Sequence, residues 1–141
     1  MFLAMNYKRI TTPKERLDAF SRILDSLNNL DYPVVVEGKR DTAALRNIGY
    51  TGVIIELNDG RSVLSTVEDL AQSLGSSGKF VIMTDWDRTG GRLAKQLKEY
   101  GESSDLYPDL TIRRNLAQIF SKDISCIEEL PTVIRTLNLK I

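Results

Sequence analysis

Histidine is absent from this chain of 141 residues, and cysteine occurs once, as Cys126. Protein zinc sites are built mainly from cysteine and histidine, and the common activated nucleophiles pair serine or cysteine with histidine. Both kinds of site are therefore excluded. A lone cysteine closes no internal disulfide, which fits a reducing compartment. Any chemistry must use carboxylates, hydroxyls, lysine, arginine and a metal ion.

The chain also lacks long apolar runs and an excess of charge. No stretch approaches the ~18 apolar residues of a membrane span, and residues 1–8 lack the apolar core of a signal peptide. We therefore expect a cytoplasmic protein that makes no membrane contact. With 19 basic and 19 acidic residues the net charge is zero, so binding to a polyanion would need a local basic patch.

Apolar periodicity predicts strands that alternate with helices, the pattern of an α/β fold with a parallel sheet. The sequence Thr12-Pro13-Lys14-Glu15 is typical of a capping box and starts a helix that reaches about Leu30. The predicted strands are Val34–Val36, Val53–Leu57, Phe80–Met83 and a short fourth one at Ser104–Tyr107. The other predicted helices run from Asp41 to Ile48, Val63 to Leu74, just after Gly90-Gly91 to Tyr100, Ile112 to Phe120, and Ile127 to Leu137, the last with Asp123 or Ser125 as its cap.

The length and the 42% hydrophobic content suggest a single structural domain with one real core. Within it we expect an N-terminal helix in residues 1–31, a central core in 32–107 and C-terminal helices in 108–141. The first strand is not followed by a Gly-x-Gly-x-x-Gly turn. A dinucleotide-binding role is therefore excluded.

Acidic residues follow two of the predicted strands. Glu37 comes directly after the first strand, and Asp85 and Asp87 come after the third, on the same side of the extended chain. Ligand sites in parallel sheets form beyond the carboxyl ends of the strands. Three carboxylates there repel one another unless a cation neutralises them. Mg²⁺ is the natural ion, because it binds carboxylate and phosphate oxygens, and Mn²⁺ is an alternative.

These motifs resemble the Toprim domain, which is shared by bacterial primases, topoisomerases, a class of nucleases, recombination proteins and the maturase of 5S ribosomal RNA. The resemblance spans residues 32–107: an apolar strand ending in Glu37-Gly38 with Asp41 three residues later, then a strand ending in Asp85-Trp86-Asp87-Arg88-Thr89-Gly90. It implies a Rossmann-like α/β fold with a parallel sheet of about four strands flanked by helices, plus N- and C-terminal helices. By size we expect a small stand-alone Toprim protein, without the zinc module, tyrosine domain and helicase-binding region of larger Toprim proteins.

The resemblance also implies roles for the matching residues. Glu37 corresponds to a general acid or base or a metal ligand, and Asp85 and Asp87 to metal ligands. Gly38 and Gly90 correspond to glycines that let the backbone approach a phosphate. Asp41 is expected to have a structural role instead, as the N-cap of the following helix.

Basic residues cluster in sequence around the same strand ends and are expected to contact the phosphate backbone of a nucleic acid. They are Lys39, Arg40, Arg88, Arg92 and Lys95, together with Arg113 and Arg114 at the start of a C-terminal helix. Each of them is equally compatible with a solvated surface position. The N-terminus of the helix after Gly90 would add a favourable dipole for a phosphate.

The sequence thus favours Mg²⁺-dependent phosphodiester chemistry on DNA or RNA, with a nuclease as the leading hypothesis. The principal alternative is a non-catalytic Toprim module that binds nucleic acid or a partner protein. A lesser alternative is a haloacid-dehalogenase-type phosphatase, because Asp85-Trp86-Asp87-Arg88-Thr89 also fits an Asp-x-Asp-x-Thr motif. That reading leaves Glu37-Gly38 unexplained.

Overall fold

The computed structural model describes residues 6–141 and contains a four-stranded sheet with six α-helices around it. Residues 1–5 of the expected N-terminal part lie outside the described residues. The helices are α1 (Pro13–Asn29), α2 (Lys39–Ile48), α3 (Val63–Leu74), α4 (Arg88–Ser103), α5 (Thr111–Phe120) and α6 (Leu130–Asn138). The strands are β1 (Val34–Val36), β2 (Ile54–Glu56), β3 (Lys79–Ile82) and β4 (Tyr107–Asp109). Two 3-10 turns, Tyr7–Arg9 and Ile127–Glu129, complete the described elements.

The sheet is parallel throughout and has the strand order β2-β1-β3-β4. Val34 of β1 is paired with Ile54 of β2 on one side and with Val81 of β3 on the other. The central strands β1 and β3 are therefore neighbours, and their carboxyl ends lie at the same edge of the sheet. This arrangement confirms the predicted α/β class and the parallel sheet of four strands.

Helices cover both faces of the sheet, which explains why its central strands are continuously apolar. Val34 and Val36 of β1 pack in a core with α1, α2, α5 and α6. Val35 points to the opposite face and packs in a second core with α3 and α4. Because successive side chains of a strand alternate between faces, a run such as Val34–Val36 supplies both cores at once.

Local signals set the start of α1 as predicted. Thr12 Oγ1 accepts a hydrogen bond of 3.2 Å from the amide of Glu15, and the Glu15 carboxylate accepts one of 3.3 Å from the amide of Thr12. These two bonds form the capping box that the sequence predicts. Among the described residues, no helix combines the length and apolarity that a membrane crossing requires.

Several predicted boundaries were wrong. Helix α2 begins at Lys39 instead of Asp41, and α4 begins at Arg88, so that Gly90 and Gly91 lie inside it. The reason in α4 is Asp87, whose side chain caps the helix, so that it begins four residues before the start expected after Gly91. Strand β4 runs from Tyr107 to Asp109, later than the predicted Ser104–Tyr107.

The last predicted helix, Ile127–Leu137, is divided in two. A 3-10 turn at Ile127–Glu129 precedes α6, which has Pro131 in its first turn. Proline is favoured at the first positions of a helix, where no amide hydrogen is needed. The residue before the 3-10 turn is Cys126, and neither Asp123 nor Ser125 caps a helix there.

Candidate metal centre

The fold brings together the three acidic residues that follow β1 and β3. Glu37 lies one residue beyond β1, and Asp85 and Asp87 lie in the connection between β3 and α4. One carboxylate oxygen from each of the three residues lies within 4.8 Å of the others. Such a spacing allows a single cation to contact all three side chains.

Glu37 is held by the neighbouring strand end. Its Oε2 accepts a hydrogen bond of 2.7 Å from the amide of Asp85. Burial raises the pKa of the Glu37 carboxyl, and repulsion from Asp85, Asp41 and Asp87 raises it further, whereas the hydrogen bond opposes the shift. Without a cation, the ionised form of Glu37 is therefore destabilised in the folded protein.

Asp85 has a similar environment. Its Oδ1 accepts a hydrogen bond of 2.8 Å from the amide of Ile127, which belongs to the 3-10 turn before α6. Burial raises the pKa of the Asp85 carboxyl, and the charges of Asp87 and Glu128 add to the shift. A bound cation would relieve this penalty for Asp85 and Glu37 together.

Asp87 is exposed and has a second function as the N-cap of α4. Its Oδ1 accepts a hydrogen bond of 2.7 Å from the amide of Gly90. Glu37, Asp85 and Asp87 each use one carboxylate oxygen for a hydrogen bond from a backbone amide, so each has a second oxygen for an ion. Three clustered carboxylates with uncommitted oxygens are a donor set suited to a hard divalent cation.

Asp41 stabilises the loop that carries Glu37. It is buried, and its Oδ2 accepts a hydrogen bond of 3.0 Å from the amide of Gly38. The N-cap position belongs to Gly38, not to Asp41, because α2 begins at Lys39. Burial raises the pKa of Asp41, and repulsion from Asp85 and Glu128 contributes.

Arg113 of α5 fixes the start of the β3–α4 connection. Its Nε donates a hydrogen bond of 3.0 Å to the carbonyl of Thr84, and its Nη2 donates one of 2.6 Å to the carbonyl of Asp85. The side chain is half-buried, and burial lowers its pKa while the three nearby carboxylates oppose that shift. Within the described residues, the guanidinium thus binds the protein's own backbone.

Residues 124–127 hold the same connection from the other side. The indole Nε1 of Trp86 donates a hydrogen bond of 2.7 Å to the carbonyl of Ile124, and the Trp86 amide donates one of 3.0 Å to the carbonyl of Ser125. With the bond from the Ile127 amide to Asp85, three hydrogen bonds join this segment to the residues between β3 and α4. We call residues 124–127 the C-terminal clamp.

Close packing at Gly90 completes the geometry of this connection. The hydroxyl of Thr84, which is fully buried, donates a hydrogen bond of 2.7 Å to the carbonyl of Gly90. A Cβ atom at Gly90 would lie 1.9 Å from the carbonyl oxygen of Asp85. Only glycine fits here, and the reason is the approach of α4 to its own N-terminal loop.

The predicted phosphate contacts fall into separate groups. A cavity of about 790 Å³ beside Glu37 and Asp85 is lined by Gly38, Lys39 and Arg40. Arg40 also lies 3.5 Å from the carboxylate of Glu128, in an exposed pair that contributes little stability. Arg88, Arg92 and Lys95 are exposed on α4 with the spacing of one helix face. Arg114 is exposed and lies apart from them, beside β4.

Sequence reasoning missed the groups that hold the acids in place. Thr84, the Ile127 amide and the carbonyls of Ile124 and Ser125 carry no pattern that separates them from other residues. Glu128, which lines the cavity, was also missed. In the clamp, burial, with added repulsion from Glu129 and Asp85, raises the pKa of Cys126 to about 11, so its thiol stays protonated at neutral pH.

Residues 33–119 match the Toprim domain family, and this match covers more than half of the chain. The chain belongs to the Toprim family. This membership confirms the resemblance inferred from the two acidic motifs. It also argues against the dehalogenase-type phosphatase, which would leave Glu37 without a role. The C-terminal clamp lies beyond the matched residues.

Curated proteins of similar size are similar in sequence to this Toprim protein over most of its length. A UPF0292 protein of Thermococcus onnurineus is 38% identical over 127 residues, covering 90% of this chain and 84% of its own. A UPF0292 protein of Methanosarcina barkeri is 37% identical over 130 residues, covering 90% of this chain and 88% of its own. Among solved structures, a protein from Aquifex aeolicus superposes with a TM-score of 0.64 at 26% identity, covering 78% of this chain and 96% of that one.

Toprim domains bind divalent metals, and the donor set of this Toprim domain fits that property. The three carboxylates are close enough to share an ion. Burial and mutual repulsion raise the pKa of two of them, as expected where a positive charge is required. Glu37, Asp85 and Asp87 are therefore the residues that can hold such an ion.

Proposed function

We propose that this Toprim protein is a nuclease that cleaves phosphodiester bonds of nucleic acid with Mg²⁺ held by Asp85 and Asp87, and with Glu37 beside the ion as the group that moves a proton. The observation that carries the proposal is the convergence of three carboxylates at the carboxyl edge of the sheet. Toprim domains generally act on nucleic acids. When bound, the ion would polarise the phosphodiester and stabilise developing negative charge.

Glu37 is the residue best suited to move a proton. Its pKa is raised by burial and by the neighbouring acids, so a proton is held at higher pH than on an ordinary glutamate. In this proposal, Glu37 exchanges a proton with the attacking or leaving oxygen through the carboxylate oxygen that is not bonded to Asp85. Asp85 and Asp87 act as the ligands of the ion.

Phosphate binding is assigned to the mouth of the cavity. The first turn of α2 has no side-chain cap, since Gly38 occupies the N-cap position, and Lys39 and Arg40 of this turn line the cavity. Helix N-termini with free amides favour anions. In this proposal the N-terminus of α2 has the phosphate-binding role that the sequence predicts for α4. The N-terminus of α4 is already capped by Asp87. Gly38 lets a phosphate approach without a side chain in the way.

A basic face of α4 is a second group of phosphate contacts in this proposal. Arg88, Arg92 and Lys95 are four and three residues apart, and no acidic residue follows in α4 before Glu99. They would contact successive phosphates of a bound strand and so supply the local positive charge that a protein of zero net charge needs for such binding.

Cleavage of labelled RNA and DNA by the purified protein tests the proposal. The reactions contain Mg²⁺, Mn²⁺ or EDTA, and the variants are Glu37→Gln and Asp85→Asn, with Glu68→Gln on the exposed face of α3 as the matched control. We expect products that require metal and are lost in the two site variants alone. Absence of products with every metal, while binding persists, would refute the nuclease assignment.

A specific observation favours a second candidate, the non-catalytic Toprim module. Each of the three acids already accepts a backbone hydrogen bond, so the cluster has a structural function even without chemistry. This candidate predicts that Glu37→Gln and Asp85→Asn alter thermal stability while nucleic-acid or protein binding remains as in the wild type.

A further inference from the structure

A second concave surface lies across the outer edge of β4, away from the cavity that contains Glu37. It has a volume of about 770 Å³, within the range of pockets that hold small ligands, about 300–1,000 Å³. We call it the β4 groove. Its residues come from the α1–β1 connection, from β3 and β4, and from helices α4 and α5.

Two tyrosines line the β4 groove. Tyr107 lies on β4 with 59% of its surface exposed, in register with Lys79 of β3. Tyr32 is partly buried, and the Lys79 ammonium lies 5.6 Å from the centre of its ring. Because more than half of its surface is exposed, Tyr107 is accessible to a ligand.

Three cations line the β4 groove with these rings. Lys79 and Arg114 are exposed, and neither forms an ion pair with any residue of the described range 6–141. Lys98 lies 3.4 Å from the carboxylate of Glu102 in a solvent-exposed pair. The acid that lines the groove, Asp109, is engaged by the amide of Thr111 at 2.8 Å. In a protein of zero net charge, this is a local positive surface.

We propose that the β4 groove binds single-stranded nucleic acid. Proteins that bind single strands combine aromatic rings, on which bases stack, with cations that follow the phosphates. Tyr107 would stack against a base, and Lys79, Lys98 and Arg114 would contact the backbone on either side. Double-stranded nucleic acid fits poorly, since its bases are not available for stacking.

The proposal deepens the proposed function, on which it rests for the nature of the ligand. Arg113 and Arg114 are adjacent on α5: Arg113 bonds to the backbone at Asp85, and Arg114 lies in the groove. Strand β4 also pairs directly with β3, whose end carries Asp85. Tyr107 is paired with Lys79, six residues before Asp85, so a strand held in the β4 groove would reach the acidic cluster by extending past Arg114 towards the carboxyl ends of β3 and β4.

Fluorescence anisotropy with a labelled single-stranded oligonucleotide in EDTA tests the groove separately from catalysis. Tyr107→Ala should weaken binding by about fivefold to a hundredfold, the range of a lost base stack, whereas Tyr107→Phe should bind as the wild type does. Lys79→Glu with Arg114→Glu should weaken binding at least tenfold and reduce its salt dependence. Arg22→Glu, an exposed position on α1, is the matched charge control, and circular dichroism confirms folding.

The outcomes separate the two proposals. If Asp85→Asn abolishes cleavage but binds the oligonucleotide normally, while the groove variants lose binding in EDTA, both hold. If the wild type cleaves with none of the metals, yet the groove variants lose binding, the nuclease assignment fails and the proposal for the groove stands. Unchanged binding in Tyr107→Ala and the double charge reversal would overturn the groove. If the groove variants lost binding to an acidic peptide but still bound the oligonucleotide as the wild type does, the proposal would also be overturned and a protein partner assigned instead.

Discussion

The Glu37 carboxylate accepts a hydrogen bond of 2.7 Å from the Asp85 amide, in the place where the next rung between β1 and β3 would be. The preceding rungs join the amides of Val81 and Met83 to the carbonyls of Pro33 and Val35. At Glu37 the side chain replaces the carbonyl, which instead accepts a bond from Asn58 on the β2 side. The sheet's own ladder therefore sets the separation of the two acids.

In the metal-free protein, the free energy of unfolding should decrease as the pH rises. The folded-state pKa values of Glu37, Asp85 and Asp41 are raised, mainly by burial. The folded protein then retains protons that the unfolded chain has lost from about pH 4 upward. The contribution of these three carboxyls to stability is therefore complete below about pH 4, and it is lost as the pH rises through their raised folded-state pKa values.

Thermal unfolding between pH 4 and pH 8 checks this expectation. In EDTA the melting temperature should decrease towards neutral pH, and Mg²⁺ at a hundred times its dissociation constant should add about 2.7 kcal/mol. Asp85→Asn should flatten the decrease and remove the Mg²⁺ effect. A melting temperature that rises steadily towards neutral pH in EDTA would contradict the argument.

The two functions of Asp87 can be separated by substitution. Asn is as good an N-cap as Asp, so Asp87→Asn should preserve the bond to the Gly90 amide while weakening metal binding. Asp87→Ala should weaken metal binding too and also cost about 0.5–2 kcal/mol of unfolding free energy. Denaturant titration and calorimetric Mn²⁺ titration measure the two effects. Wild-type metal affinity in Asp87→Asn would leave Asp87 as a cap alone.

Adjacent glycines in α4 should respond in opposite directions to alanine. At Gly90 the added Cβ would lie 1.9 Å from the Asp85 carbonyl, so Gly90→Ala should cost at least about 1–3 kcal/mol and displace the metal-binding loop. At Gly91 nothing lies within 4 Å, so Gly91→Ala should stabilise the helix by about 0.5–1 kcal/mol. Urea unfolding of both variants measures the difference, and equal effects would argue against the close approach.

Arg113 should act through the position of Asp85. Lysine cannot reproduce the two hydrogen bonds to the Thr84 and Asp85 carbonyls, so Arg113→Lys should cost about 1–3 kcal/mol and weaken Mn²⁺ binding. Arg114→Lys is the control, expected to stay within about 0.5 kcal/mol of the wild type. Trp86, the single tryptophan, is bonded to the clamp and provides a fluorescence signal for metal titration. An unchanged metal affinity in Arg113→Lys would refute the positioning role.

Much of the fold could be predicted because its signals are local. The apolar runs at Val34–Val36 and Phe80–Met83 are read within four residues, and the capping box at Thr12 within the same span. The predicted start of α4 was wrong for a local reason as well. Asp87, which the sequence marks as a metal ligand, also serves as the N-cap of α4. Both functions belong to the same side chain, and the sequence does not show that one side chain has both.

By itself the sequence determined that acidic residues end two buried strands, because strand periodicity and parallel topology place such ends together. Only the tertiary structure decided how those acids are held. The amides and carbonyls of Ile127, Ile124 and Ser125 are chemically the same as those of any other residue, so their contacts depend on where the C-terminal clamp packs. Likewise, Arg113 and Arg114 are identical in type, and the rotation of about 100° between neighbours on a helix sends one to the acidic cluster and the other to the β4 groove.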